Sequence, residues 1–199
     1  MPIAKTSTFT PAPEGTYVAR CFACISLGTQ HSERFADSFK LMLMFELPEE
    51  MIETPDGAKP MVVSKEYTLT LSPKSNLGAH LNSWRGRAFT PDELKGFEVS
   101  NVVGAPCQIT IMHKKSEAGN IRADIAAITG IPRGLKVPDQ WHKSIKYEIE
   151  HGKTEVFTAL PEWVQKKILG CEEWKPSTVK PQAPEPIDPG PEAEDNCPF

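Results

Sequence analysis

Nowhere in the 199 residues does an apolar run approach the roughly 20 residues that a membrane-spanning helix needs. Met1-Pro2-Ile3-Ala4-Lys5 also lacks the apolar segment of a secretory leader, so a cytoplasmic protein is expected. The five cysteines are odd in number and irregularly spaced, which argues for reduced thiols over a disulfide framework. Cys21 and Cys24 form a C-x-x-C with no second pair. On a regular strand two positions three apart face opposite sides, so no metal is expected there. His31, His80, His113, His142 and His151 show no metal-binding spacing either.

Catalytic signatures are missing as well. The chain has no G-x-x-x-x-G-K-[ST] phosphate cradle, no G-x-S-x-G and no H-E-x-x-H. A metal-dependent nuclease needs clustered carboxylates, and Asp124 stands without evident acidic partners. The expectation is therefore a non-catalytic protein with no cofactor.

Positive charge is short overall: 22 Lys and Arg face 26 Asp and Glu, a net −4. From Lys175 onward, however, two basic residues meet five acidic ones, so residues 175–199 hold −3 of that and the body is near neutral. The same stretch contains seven prolines and almost nothing that could form a core. Such a segment cannot repay the entropy of ordering, and it reads as a disordered, extended acidic tail after a single domain over 1–174.

Within the body, Thr16 to Leu27 alternates with Tyr17, Ala19, Cys21, Ala23, Ile25 and Leu27 on one side, which predicts a long strand. Phe39 to Leu47 predicts a second, with Phe39, Leu41, Leu43, Phe45 and Leu47 inward and Lys40, Met42, Met44 and Glu46 outward. Pro55-Asp56-Gly57 supplies the turn to a third strand over Met61–Leu71. Leu77, Leu81 and Trp84 then recur at helical spacing, with Ser75 as cap, Gly86 as stop and Trp84 in the core. Thr90-Pro91-Asp92-Glu93 opens a brief helical turn, and two strands follow at Pro106–Lys114 and Ile121–Ile131. Pro161–Leu169 forms the last helix. Three strands, a helix, two strands and a C-terminal helix is the order of a mainly β protein built on an oligonucleotide/oligosaccharide-binding (OB) barrel: five strands with a helix between the third and fourth.

The chain closes on Glu194-Asp195-Asn196-Cys197-Pro198-Phe199, acids ahead of an aromatic residue that carries the α-carboxylate. An extended peptide of this kind can seat its ring in an apolar pocket while a partner's cation takes the carboxylate. This ending resembles the tip of bacterial and bacteriophage single-stranded DNA-binding proteins, which place an OB barrel first and a disordered tail between. The matching positions are Glu194, Asp195, Pro198 and Phe199; Asn196 and Cys197 depart from the pattern. Asn82–Arg87 and Ile128–Gly134 are similar to stretches of phage replication-region proteins. The resemblance implies a protein that coats single-stranded DNA in the host bacterial cytoplasm and recruits polymerases, helicases or nucleases through its tip. The alternatives are an OB adaptor for protein or RNA, an unrecognised metal-dependent nuclease and, for the tail, a solubilising extension.

Single-strand binding needs cations along the backbone path and flat side chains on which bases stack. OB ligands cross the second and third strands, which nominates Lys40 and Met42 there with Arg20 and Phe22 beside them. Phe22 stacks on a base or packs beneath a loop or the C-terminal helix. Lys65 and Tyr67 lie on the apolar face of the third strand and reach solvent only if a bulge shifts the register. Lys74, Arg85 and Arg87 form one loop cluster, and Lys114, Lys115 and Arg122 form another at the last hairpin. Either cluster is a phosphate contact or an ordinary solvated face.

Overall fold

A computed structural model describes residues 10–174, apart from 34, 56 and 116–118. Residues 175–199, and with them the candidate tip Glu194, Asp195, Pro198 and Phe199, lie outside the described residues. The chain is mainly β. Its strands are β1 (Gly15–Gln30), β2 (Ser38–Thr54), β3 (Gly57–Thr68), β4 (Pro106–Lys115), β5 (Ile121–Thr129) and the short β6 (Ile145–Tyr147). Helices α1 (Asn76–Arg85) and α2 (Pro91–Gly96) separate β3 from β4, and α3 (Glu155–Ala159) and α4 (Glu162–Leu169) come last. Among the described residues no helix is long and apolar enough to cross a membrane.

The antiparallel path runs β3-β2-β1-β4-β5 and curls into a half-barrel. Its two outer strands are bridged by Lys65 of β3, whose Nζ donates to Asp124 Oδ1 at 2.8 Å and to the Ile125 carbonyl of β5. The curl originates in β1, which pairs with β4 from Gly15 to Arg20 and with β2 from Arg20 to Gln30. Where β4 leaves off, β6 takes its place in parallel beside Ala23–Ile25.

Two bulges in β1, at Cys21/Ala23 and Ser26/Gly28, correct the single alternating stripe expected over Thr16–Leu27. Each inserts one residue and turns the following side chains over. Ala19, Cys21 and Cys24 therefore face the barrel interior, while Phe22, Ala23, Ile25 and Leu27 face the opposite layer. Cys21 and Cys24 share a face after all, and burial raises both thiols, Cys24 to about 11. Among the described residues no group of three metal-ligating side chains exists. At the second bulge a side chain on Gly28 would collide with Ile149 and Cys171, so glycine lets the C-terminal segment close against β1.

The barrel interior is filled by Leu41, Leu43, Phe45, Tyr67, Ile109 and Ile125 among others, with Leu77, Leu81 and Trp84 of α1 plugging it. The indole N–H of Trp84 donates to the Pro106 carbonyl at 2.8 Å, which satisfies its one polar atom. Local sequence sets α1: the Ser75 hydroxyl accepts from Gly78 N–H, and Gly86 ends the helix at φ 70°, a left-handed value that suits glycine.

A second apolar layer lies on the other side of β1 and β2. Phe22, Met42 and Met44 pack there against Tyr147, Phe157, Val164 and Ile168 of the C-terminal segment. The outward face expected for β2 is thus buried from Met42 to Glu46: Met42, 1% exposed, packs in this layer, and Glu46, 0% exposed, is covered by residues 141 and 142. Lys167 of α4 pairs with Glu66 of β3, and Glu173 accepts from the Thr29 N–H and hydroxyl, pinning both ends of this cover.

Candidate nucleic-acid interface

Eight of the twelve nominated residues are engaged by other parts of the protein. Phe22 is buried against His142, ring centroids 4.6 Å apart, so it packs beneath the C-terminal segment and offers no face to a base. Met42 lies in the same layer. Tyr67 is 2% exposed and its hydroxyl meets His80 Nδ1 at 2.8 Å; no register shift occurs over residues 61–68 to turn it out. Burial raises the Tyr67 phenol and lowers the His80 imidazole, which keeps this pair neutral.

The cations divide in the same way. Arg20 donates to the Gly104 and Pro138 carbonyls at 2.8 and 2.9 Å and acts as a clamp between loops. Lys65 bridges the outer strands, as above, and Lys114 meets the same carboxylate, Asp124, at 2.5 Å. Burial opposes ionisation of Asp124, but the hydrogen bonds from Lys114 and Lys65 outweigh it and hold the carboxyl below its ordinary value. Arg85 and Arg87 both bind Glu93, whose carboxylate also accepts from Thr90 N–H. The Arg85 guanidinium lies 4.2 Å from the Phe89 ring centroid. The Arg85–Arg87 cluster is therefore a fixture of the α1–α2 connection, its two guanidinium groups sharing the one Glu93 carboxylate.

Four nominated cations remain available. Lys40 makes one bond, to the Thr68 hydroxyl at 2.6 Å, and with Lys74 it lines an open cleft of about 430 Å³ at the β3–α1 connection. Thr68, Thr70 and Ser75 add hydroxyls to that wall. At the same end of the sheet Phe35, 78% exposed, and Phe39 stand in solvent, and the Phe39 carbonyl accepts from Leu69 N–H at 2.9 Å. Phe39 keeps the inward face expected of it but lies past the end of the core. Lys115 and Arg122 are exposed on the β4–β5 hairpin, where Arg122, Pro11 and Ile121 line a second hollow of about 640 Å³. Neither forms an ion pair among the described residues.

One surface was missed by sequence reasoning: the strap from Ile131 to Ser144 that joins β5 to β6. Glu46, fully buried on β2, holds it through three hydrogen bonds. Trp141 N–H donates to Oε1 at 2.9 Å, and His142 N–H and Nδ1 donate to Oε2 at 2.8 and 2.7 Å. Arg20, the cross-strand partner of Glu46, holds Pro138 beside them. The backbone is fixed, yet the Trp141 side chain is 51% exposed. The available signal was an aromatic residue between lysines in a stretch with neither helical nor strand period, Lys136-Val137-Pro138-Asp139-Gln140-Trp141-His142-Lys143.

No family model, curated protein or solved structure matches the chain.

Proposed function

We propose that this chain is a non-catalytic single-stranded DNA-binding protein on an OB-type barrel. The observation that carries the reading is the strand path β3-β2-β1-β4-β5 with β3 and β5 bridged through Lys65 and a helix plugging the barrel between β3 and β4. That is the order in which an OB barrel closes. Support comes from the cations left without an acidic partner among the described residues, at the Lys40–Lys74 cleft and on the β4–β5 hairpin, the latter being one of the two connections that bind the ligand in such barrels. The exposed Phe35 and Phe39 rings beside the cleft offer stacking surface.

In this proposal the protein coats strands exposed in phage replication, recombination or repair. The segment with Glu194, Asp195, Pro198 and Phe199 recruits a polymerase, helicase or nuclease, a role that rests on the sequence alone. Anisotropy of a labelled oligo-dT titrated with the full chain tests the binding, with duplex DNA and RNA of equal length alongside. Preference for the single DNA strand is expected; equal or stronger binding to duplex would defeat the reading.

A further inference from the structure

An OB ligand crosses the outer face of strands two and three, and in this chain the β2 part of that face is closed. Met42 and Met44 are buried in the layer formed with the C-terminal segment, and Glu46 is consumed by the strap. The ligand is thereby displaced onto whatever covers the face. What covers it at the Arg20–Glu46 level is residues 131–146, and this segment carries Arg133, Lys136, Lys143 and Lys146 against one acid, Asp139. All four cations are exposed, and none forms an ion pair among the described residues. Between them stands Trp141, half in solvent, its backbone N–H held by a buried carboxylate and its ring edge-on to His142 at 4.7 Å.

From this arrangement we infer that the strap is a second nucleic-acid site, in which Trp141 stacks on an unpaired base and Lys136, Lys143 and their neighbours take the flanking phosphates. This rests on the single-strand reading above and adds a contact outside the barrel. The chemistry selects the ligand. A flat indole flanked by mobile cations matches any base with its backbone, whatever the sequence, and a base already paired in duplex cannot reach it. The platform is organised beforehand: Glu46 fixes the main chain through two N–H groups, and Phe22 stacks on the other anchoring side chain, His142, from below. Little ordering is left for binding to supply.

The test compares the full chain with Trp141→Ala, Trp163→Ala and the double variant Lys136→Ala/Lys143→Ala by oligo-dT anisotropy. Circular dichroism and thermal melts check that each folds. Trp141→Ala leaves the Glu46 bonds to the main chain intact, and Trp163, an exposed indole on α4, controls for loss of any surface tryptophan. Expected are about tenfold or greater weakening for Trp141→Ala, no change for Trp163→Ala, and a salt slope shallower by about 1.4 for the double lysine variant. Quenching of the wild-type indole fluorescence by oligo-dT, lost in Trp141→Ala, reads the stacking directly. If the full chain binds oligo-dT and folded Trp141→Ala binds within twofold of it with quenching unchanged, the strap inference fails while the barrel reading stands. If the full chain does not bind, both fail.

Discussion

The β1–β2 half of the sheet is covered on both sides, whereas the β4–β5 hairpin is covered only on the side that faces the barrel. Along β2 every position from Leu41 to Leu47 is buried, alternately in the interior and on the face covered by the C-terminal segment and the strap. On β4 and β5 the inward Ile109, Ile111 and Ile125 are buried, while Met112, Lys115 and Arg122 stand in solvent. Alternation along one strand therefore does not tell an open face from a covered one. Methionines on the polar side of β2 were compatible with either, and the C-terminal segment decided the matter.

The two layers around β2 are expected to respond differently to substitution. Phe45→Ala removes a ring from the barrel interior and is expected to lower stability by about 3–5 kcal/mol. Chemical denaturation should show this as a lower midpoint for the whole domain. Glu46→Ala removes the acceptor of three bonds and leaves two N–H groups of the strap without partners, with an expected loss of about 3 kcal/mol. Here the readout is local: hydrogen exchange should quicken at residues 134–147 while the barrel strands stay protected. Uniform acceleration would mean that the two layers form one cooperative unit.

A smaller effect belongs to the bridge between β3 and β5. Asp124→Asn is expected to cost about 1 kcal/mol, because the carboxylate is partly exposed and shared by Lys65 and Lys114. Its folded-state pKa lies below the ordinary 3.8, so its stabilisation is fully present above that value and is lost as pH falls through the lower folded value. Melts of wild type and variant should therefore converge in acid. The smallest expected change in stability, near zero, is that of Lys115→Ala with Arg122→Ala, since neither side chain is paired among the described residues. These two should instead make the salt dependence of oligo-dT binding shallower by about 1.4.

Much of the fold was legible in the residues. The strong period-two pattern of Phe39–Leu47, the capped helix from Ser75 to Gly86 and the proline-opened helix at Glu162 each carry a local cause that the structure retains. The bulges of β1 were not legible, because Cys21, Phe22 and Ala23 are all small or apolar and fit either register. β6 was invisible for a different reason: three residues, Ile145, Lys146 and Tyr147, carry no period and form a strand only where β4 leaves the β1 edge open. Among the residues nominated from sequence, the hairpin cations Lys115 and Arg122 and the cleft lysines Lys40 and Lys74 are those the fold leaves without an acidic partner among the described residues. Sequence could not show that Glu93 answers both Arg85 and Arg87, a pairing made by the fold of the connection. Trp141 was missed because its exposure depends on Glu46, 95 positions away.

The proposed binding of single strands by a near-neutral body, through local cations left without acidic partners among the described residues, is open to one titration, of labelled oligo-dT with the full chain at several salt concentrations. Saturable binding is expected at micromolar protein or below, with the logarithm of the association constant falling linearly as the logarithm of salt rises. Binding that is absent at micromolar protein, or insensitive to salt, would contradict it.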